Sequence, residues 1–204
     1  MSEILVLAPL RLEAAMISWG APSLRVHRVG MGAARCTEAA RWLQHDPAQA
    51  IVVMGVCGGL AHGDEPGEVI VAERVWAIDD AYTLQGSEVS CAAAATLTEG
   101  FLQRGLRART GAIACSQRIV HGEGRAKLAE GGADAVEMES AWLAPAAGER
   151  PFIVVRVVAD TPRHDLRRPD LVLGSWLRAA GALRRAAREL ESLTRERGIA
   201  ALTG

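Results

Sequence analysis

"AIVVMGV", Ala50–Val56, is an unbroken apolar run with no residue to turn toward water. It is too short for an ordinary helix, so it reads as a strand covered on both faces. A chain holding such a strand must supply layers of structure on either side of it. Outward from this run the sequence does so. "ILVLAP" (Ile4–Pro9) and "LRVHRVG" (Leu24–Gly30) read as strands before it, and "AARCTEAARWLQ" (Ala33–Gln44) as the amphipathic helix that leads into it. After it come strands at Gly67–Ile78, Arg109–Ser116 and Pro151–Asp160, a helix over Ser90–Gly105, and a long closing helix over about Gly174–Thr194. Strands alternating with helices predict an α/β sandwich with a largely parallel sheet. The turn-rich "HGDEPG" (His62–Gly67) is the loosest stretch in the middle, and no repeat or linker divides the chain, so one domain over residues 1–204 is expected.

Composition narrows the function classes. The chain has 204 residues, 50% hydrophobic and 23% charged, with a formal net charge of −1. That balance suits a globular protein and supplies no long-range field for nucleic acid or an acidic membrane. No apolar run reaches the length of a membrane span. The opening "MSEILVLAPLRLEAAM" places Glu3 where a secretion signal would be basic, so a cytoplasmic protein is expected. Cys36, Cys57, Cys91 and Cys115 are scattered, without metal-ligand spacing, and read as buried thiols in a reducing compartment. No metal site is expected.

In open α/β folds ligands bind beyond the carboxyl ends of strands, and four such ends carry unusual residues. Glu13 follows the first strand; alone it reads as a surface glutamate in the first turn of a short helix. "VGMGAARC" sets Gly30 and Gly32 between a strand and a helix, but Arg35 stands where a dinucleotide fingerprint needs its third glycine. "MGVCGGLAHG" clusters Gly55, Gly58 and Gly59, which suggests close backbone packing against a ligand or a plain turn. "VVRVVADTP" ends the most apolar strand on Arg156 and Asp160, with Arg156 as the simplest structural partner of Asp160. A further oddity is "AVEMESAWL" (Ala135–Leu143), which sets Glu137 and Glu139 in an otherwise small and apolar run.

The order of these pieces is more specific than any one of them. A glutamate after strand one, GxG before a helix, "GxxGGL", "VEMES" and a late "VRVVAD" together resemble the nucleoside phosphorylase and nucleosidase superfamily, from Ile4 to about Trp176. The resemblance implies a three-layer α/β/α domain with a central mixed, barrel-like sheet. It implies an enzyme that cleaves the N-ribosidic bond of a purine nucleoside, with water or phosphate as the attacking group. The tail "RVVADTPRHDLRRPDLVLGSW", with Asp160, Pro162, His164 and Leu166, resembles the hopanoid-associated phosphorylase group, which is thought to remove adenine from adenosylhopane. The methylthioadenosine/adenosylhomocysteine nucleosidases and futalosine hydrolase are the alternative branch. A nucleoside-binding protein without catalysis is a third reading.

Such cleavage builds positive charge on the sugar and negative charge on the base, so it calls for an acid at the purine and carboxylates at the ribose. The resemblance assigns those parts. Asp160 takes the position of the acid at N7 of the purine, and Glu13 that of the glutamate activating water. Glu139 accepts hydrogen bonds from the ribose hydroxyls, and Met138 packs on the sugar. Glu137 either lines the same pocket or accepts backbone N–H groups, since alternate residues of an extended segment share a face. Ile119 and Val120 wall the base, and Gly55 and Val56 lie beneath the ribose or the nucleophile. His121 and His164 stay open as site residues. The family's glycine-and-arginine phosphate loop is missing, though Arg11, Arg35 or Arg118 could meet a phosphate co-substrate. Ala159 stands where the nucleosidases usually have serine before the acid, which argues against a plain methylthioadenosine enzyme. No cofactor is implied. A homo-oligomer, with a dimer favoured, is implied by the family, and a transient membrane contact of the "RAAGALRRAAREL" helix would suit a lipid-linked nucleoside.

Overall fold

A computed structural model describes residues 3–163, 169–198 and 202. The elements run β1 (Ile4–Ala8), α1 (Arg11–Gly20), β2 (Arg25–Arg28), α2 (Ala33–Leu43), β3 (Ala50–Gly59), β4 (Val69–Ile78), β5 (Leu84–Ser90) and α3 (Ala94–Gln103). They continue with β6 (Ala108–Cys115), α4 (Glu123–Glu130), β7 (Ala135–Glu137), α5 (Ser140–Leu143), a 3-10 turn (Ala144–Ala147), β8 (Phe152–Asp160) and α6 (Pro169–Arg197). The eight strands form one sheet.

The strand that opens the sequence reading is its centre. β3 pairs in parallel with β1 on one side and with β8 on the other, and its far end pairs antiparallel with β7. The ring then closes through β7 with β6, β6 with β4, and β4 antiparallel with β8. The mixed, barrel-like sheet that the family resemblance implies is therefore found, and it adds closure to the layered α/β arrangement read from strand–helix alternation. The sheet is mixed and five of its strands curl into a closed ring, while β1, β2 and β5 extend it. Periodicity cannot show closure, because closure depends on which strands meet, and those strands are far apart in sequence.

Successive residues of a strand point to opposite faces, and here both faces are filled. Ile4, Val6, Val52, Met54, Val155 and Val157 pack in one core with Ile17 of α1, Phe101 of α3 and Leu183 and Leu190 of α6. Leu5, Leu7, Ile51, Val53 and Val154 pack in a second core with Cys36 and Leu43 of α2 and Leu143 of α5. The continuous apolar character of β3 follows from this double burial, with each buried Val, Leu or Ile contributing roughly 1.5–3 kcal/mol. A third cluster, with Leu60, Trp76, Val120 and Leu128, seats α4 over the end of the ring. Among the described residues no helix is long and apolar enough to cross a membrane. The four cysteines are free; Cys36, Cys57 and Cys115 are buried and Cys91 half-buried.

Candidate active site

One hollow opens where the carboxyl ends of β1, β3 and β8 meet β7 and the start of α4. Its wall includes Glu13, Val56, Gly58, Ile119, Val120, Arg125, Glu137, Met138, Glu139, Asp160 and Trp176. Every residue expected at the site borders it except Gly55, which lies just behind. Asp160 and Glu139, which are 21 positions apart in sequence, thus face a common space.

Glu13 is not the surface glutamate that its local context suggests; it is 2% exposed. One carboxylate oxygen accepts the Leu10 N–H at 2.7 Å, which caps α1 from inside its first turn. The other accepts the Val56 N–H at 2.8 Å, which ties α1 to the end of β3. Burial raises the affinity of this carboxyl for its proton, opposed by Arg156 and by the two backbone donors.

The two glutamates of "VEMES" have different surroundings. Glu137 accepts the N–H groups of Glu139 at 3.0 Å and Ser140 at 2.9 Å, so it caps α5. It also pairs with Arg156 and takes the thiol of Cys115 as a donor. Glu139 accepts the Gly32 N–H at 3.1 Å and an Arg156 N–H at 3.2 Å. The GxG turn is therefore spent on a protein carboxylate: Gly32 sits at φ +87°, a left-handed conformation that glycine adopts without strain. Burial pushes the Glu139 carboxyl up to about 8, with Glu137 and Glu13 adding to the rise and Arg156 opposing it. Glu137 and Glu139 share the Arg156 guanidinium with Glu13 close by, so this end of the hollow is acidic.

Arg156 corrects a pairing expected from sequence. It does not partner Asp160. It lies in the middle of β8, 0% exposed, directly across from Gly55 of β3. Its Nη2 serves Glu137, Glu139 and, at 3.2 Å, the Ser140 hydroxyl. Gly55 makes room for it: a Cβ there would fall 2.7 Å from Arg156 Nη1 and 2.8 Å from Glu13 Oε1. The glycines of "GVCGG" thus lie inside β3 and pack against the protein's own charged side chains, not in a loop around a ligand. Gly58 repeats the device, since its Cβ would fall 2.7 Å from Arg125 Nη2 and 3.3 Å from Asp160 Oδ1.

Asp160 pairs instead with Arg125 of α4, and both side chains are buried. The strand register slips between Cys57 and Gly58, so that β8 carries one extra residue, Ala159, before Asp160 meets Gly58. Such a bulge re-aims the side chain that follows it, here toward the hollow. Arg125 is also fixed by Nε–H donation to the Val120 carbonyl at 2.9 Å and Nη1–H donation to the Gly59 carbonyl at 3.4 Å. Sequence reasoning missed Arg125. In "GEGRAKLAE" it looks like one more surface charge, and only the seating of α4 over β3 shows that it is buried. Trp176 of α6 and Met31 were missed as wall residues for the same reason.

The candidate phosphate contacts fare differently. Arg118 borders the hollow but is exposed, with Asp80 3.7 Å away. Arg35 pairs with Glu38 on the surface of α2, and Arg11 does not border the hollow. His121 is not part of the wall either. His164 and Leu166 lie outside the described residues.

Comparison with known proteins agrees with this architecture. Similar solved structures include the 5′-methylthioadenosine/S-adenosylhomocysteine nucleosidase of Neisseria meningitidis in complex with methylthio-immucillin-A, with a TM-score of 0.77 and 18% identity over 93% of this chain and 99% of that one. Futalosine hydrolase of Helicobacter pylori superposes with a TM-score of 0.75 at 18% identity, covering 95% of this chain and 97% of that one. The S-adenosylhomocysteine nucleosidase of Streptococcus pyogenes in complex with 5-methylthiotubericidin gives 0.75 at 23% identity, covering 93% and 96%. Comparison with curated proteins found no match. The phosphorylase superfamily model matches residues 11–194, a span that holds the whole hollow wall except Pro9 and Leu10, and the chain belongs to that superfamily of enzymes acting on N-glycosyl compounds.

Proposed function

We propose that the hollow binds a purine nucleoside and cleaves its N-ribosidic bond by attack of water. The observation that carries this reading is the division of the wall into two charged parts. Glu13, Glu137 and Glu139 gather around Arg156 beside Gly55, and Asp160 and Arg125 gather beside Gly58. Three residues along β3 separate these glycines by roughly 10 Å, about the length of a nucleoside. The sugar, which turns cationic as the bond breaks, belongs at the carboxylate-rich part; the base, which takes up the electron pair, belongs at Asp160 and Arg125. Glu139 is placed to accept from ribose hydroxyls, Met138 to cover the sugar, and Glu13 to take the proton of the attacking water.

Water is favoured over phosphate by electrostatics. A phosphate dianion beside Glu13 would meet a buried acidic cluster whose single arginine already serves Glu137 and Glu139. For the substituent beyond the ribose, the wall offers Pro9, Leu10, Met31, Ile119 and Trp176, with Met31 50% and Ile119 55% exposed. An apolar 5′ group fits that rim. Adenosylhopane is the specific substrate proposed, and a methylthio-nucleoside, as in the similar solved nucleosidases, is the alternative. A second copy of the chain covering the half-exposed rim is the proposed assembly, with the protein working in the cytoplasm.

The test is release of free base from a panel of adenine nucleosides with apolar, thioether and unsubstituted 5′ positions, with and without phosphate. Release without phosphate that Glu13→Gln removes is the expected result. Obligatory phosphate would overturn the role of Glu13, and no release from any nucleoside would overturn the reading as a whole.

A further inference from the structure

We infer that the joined faces of α1 and α6 form a docking surface for an anionic lipid bilayer. Eight large apolar side chains stand exposed among the described residues, and four of them lie on these two helices: Leu12 at 52%, Trp19 at 65%, Leu173 at 70% and Leu177 at 65%. Leu12 and Trp19 are seven positions apart and Leu173 and Leu177 four, so each pair shares one side of its helix. The two helices meet closely. A Cβ on Gly20 of α1 would fall 2.2 Å from the Arg184 carbonyl oxygen of α6, and the Arg184 guanidinium lies 4.4 Å from the centroid of the Trp19 ring. Arg184 is in turn seven positions beyond Leu177, on the same side of α6. One apolar and basic face therefore runs across both helices.

The charge on this face has one sign. A groove of about 550 Å³ beside Leu177 is lined by Arg107, Arg178, Arg184 and Arg185, and among the described residues no carboxylate borders it. From Leu171 to Arg188 the chain has no Asp or Glu, and the one acid of α1, Glu13, is buried in the wall of the hollow. Farther along α6 the acids are engaged, Glu189 and Glu196 by Arg104 and Glu191 by Arg195 and the Ser23 N–H. Arg185 donates to the Gly105 carbonyl at 3.0 Å, a bond that leaves its charge uncancelled. Such a face matches an anionic bilayer: the leucines enter the acyl boundary, Trp19 rests at headgroup level, and the guanidiniums meet phosphates. A second copy meeting it across a two-fold axis would set arginine against arginine. The face also begins at the hollow, since Leu10 and Trp176 of its wall are chain neighbours of Arg11 and Leu177. A nucleoside whose apolar 5′ group stayed in the bilayer would offer its sugar and base to the hollow from there. That use rests on the N-ribosidic reading above, whereas the docking rests on the face alone.

The experiment is co-sedimentation of the full chain with vesicles of phosphatidylcholine alone and of phosphatidylcholine with about one third phosphatidylglycerol, at low and at raised salt. The wild type is expected to pellet with the anionic vesicles, to stay in solution with the neutral ones, and to be released by salt. Arg178→Gln combined with Arg185→Gln is expected to weaken binding about 25-fold, at about fivefold for each arginine. Trp19→Ser combined with Leu177→Ser is expected to abolish it. None of these four side chains borders the hollow, and both double variants are expected to keep the wild-type urea midpoint and the wild-type mass in light scattering. Equal binding to neutral and anionic vesicles, binding to neither, or binding that both double variants retain overturns the inference. A smaller mass for the Trp19→Ser, Leu177→Ser variant would assign the face to a second copy and overturn it as well. Vesicle binding by a protein that releases no base from any nucleoside upholds the docking and sinks the N-ribosidic reading, whereas base release without vesicle binding does the reverse.

Discussion

Replacing Glu139 by glutamine tests the electrostatics of the carboxylate cluster directly. The carboxyl titrates at about 8 in the folded protein against 4.5 for an unperturbed glutamate. Its folded value is the higher one, so the fold binds this proton more tightly than the unfolded chain does. The associated stability is fully present below about pH 4.5 and is lost as pH rises toward 8. Each pH unit inside that window is worth about 1.4 kcal/mol. Between pH 5.5 and pH 8 the wild type should therefore lose about 3 kcal/mol relative to Glu139→Gln, in which the group cannot ionise. The amide of the variant keeps an oxygen for the Gly32 N–H, so the turn anchored there should survive. The assay is urea denaturation of both proteins at the two pH values. Titrating groups remote from this cluster are common to both and cancel in the difference. Parallel stability–pH curves would mean that Glu139 is already ionised in the fold at pH 5.5, and the reasoning that burial and its acidic neighbours hold its proton would be wrong.

Other outcomes follow from the same geometry. Arg156→Met leaves Glu137 and Glu139 buried without their shared cation and should cost about 3–5 kcal/mol, read as a lower midpoint in urea. Gly55→Ala drives a methyl into Arg156 and Glu13 and should cost about 1–3 kcal/mol together with activity, while Gly63→Ala, with nothing within 4 Å of the added carbon, should be neutral in both. Burial raises the Glu13 carboxyl, and as a base it works only when ionised. The kcat profile should therefore rise with pH through a limb lying above the ordinary glutamate range, and Glu13→Gln should remove that limb with a loss of roughly 100-fold or more.

Legibility in the sequence followed the reach of each interaction. Strands whose two faces are both buried announce themselves as unbroken apolar runs, so β1, β3 and β8 could be read to within three residues at either end. β5 could not, because LQGSEVS is mostly exposed and carries little apolar signal. The superfamily was legible because "VEMES" and "RVVAD" keep their residues together in short segments. The hollow formed by residues from six separate elements was legible only through that resemblance.

Residue types and their local spacing determined that this chain makes strands buried on both sides, and that it spends carboxylates at Glu137, Glu139 and Asp160 where apolar residues would be cheaper. The tertiary structure alone decided the partners of those charges. Arg156 looked like the companion of Asp160, four residues away on the same strand, but in β8 it lies opposite Gly55 and serves Glu137 and Glu139 from the adjoining chain segment. Arg125 comes from α4, a segment to which the sequence reading assigned no element, and turns inward to take Asp160. A buried charge must find a counter-charge within a few ångströms, and that distance is set by which strands lie side by side, a relation that is absent from the order of residues along the chain.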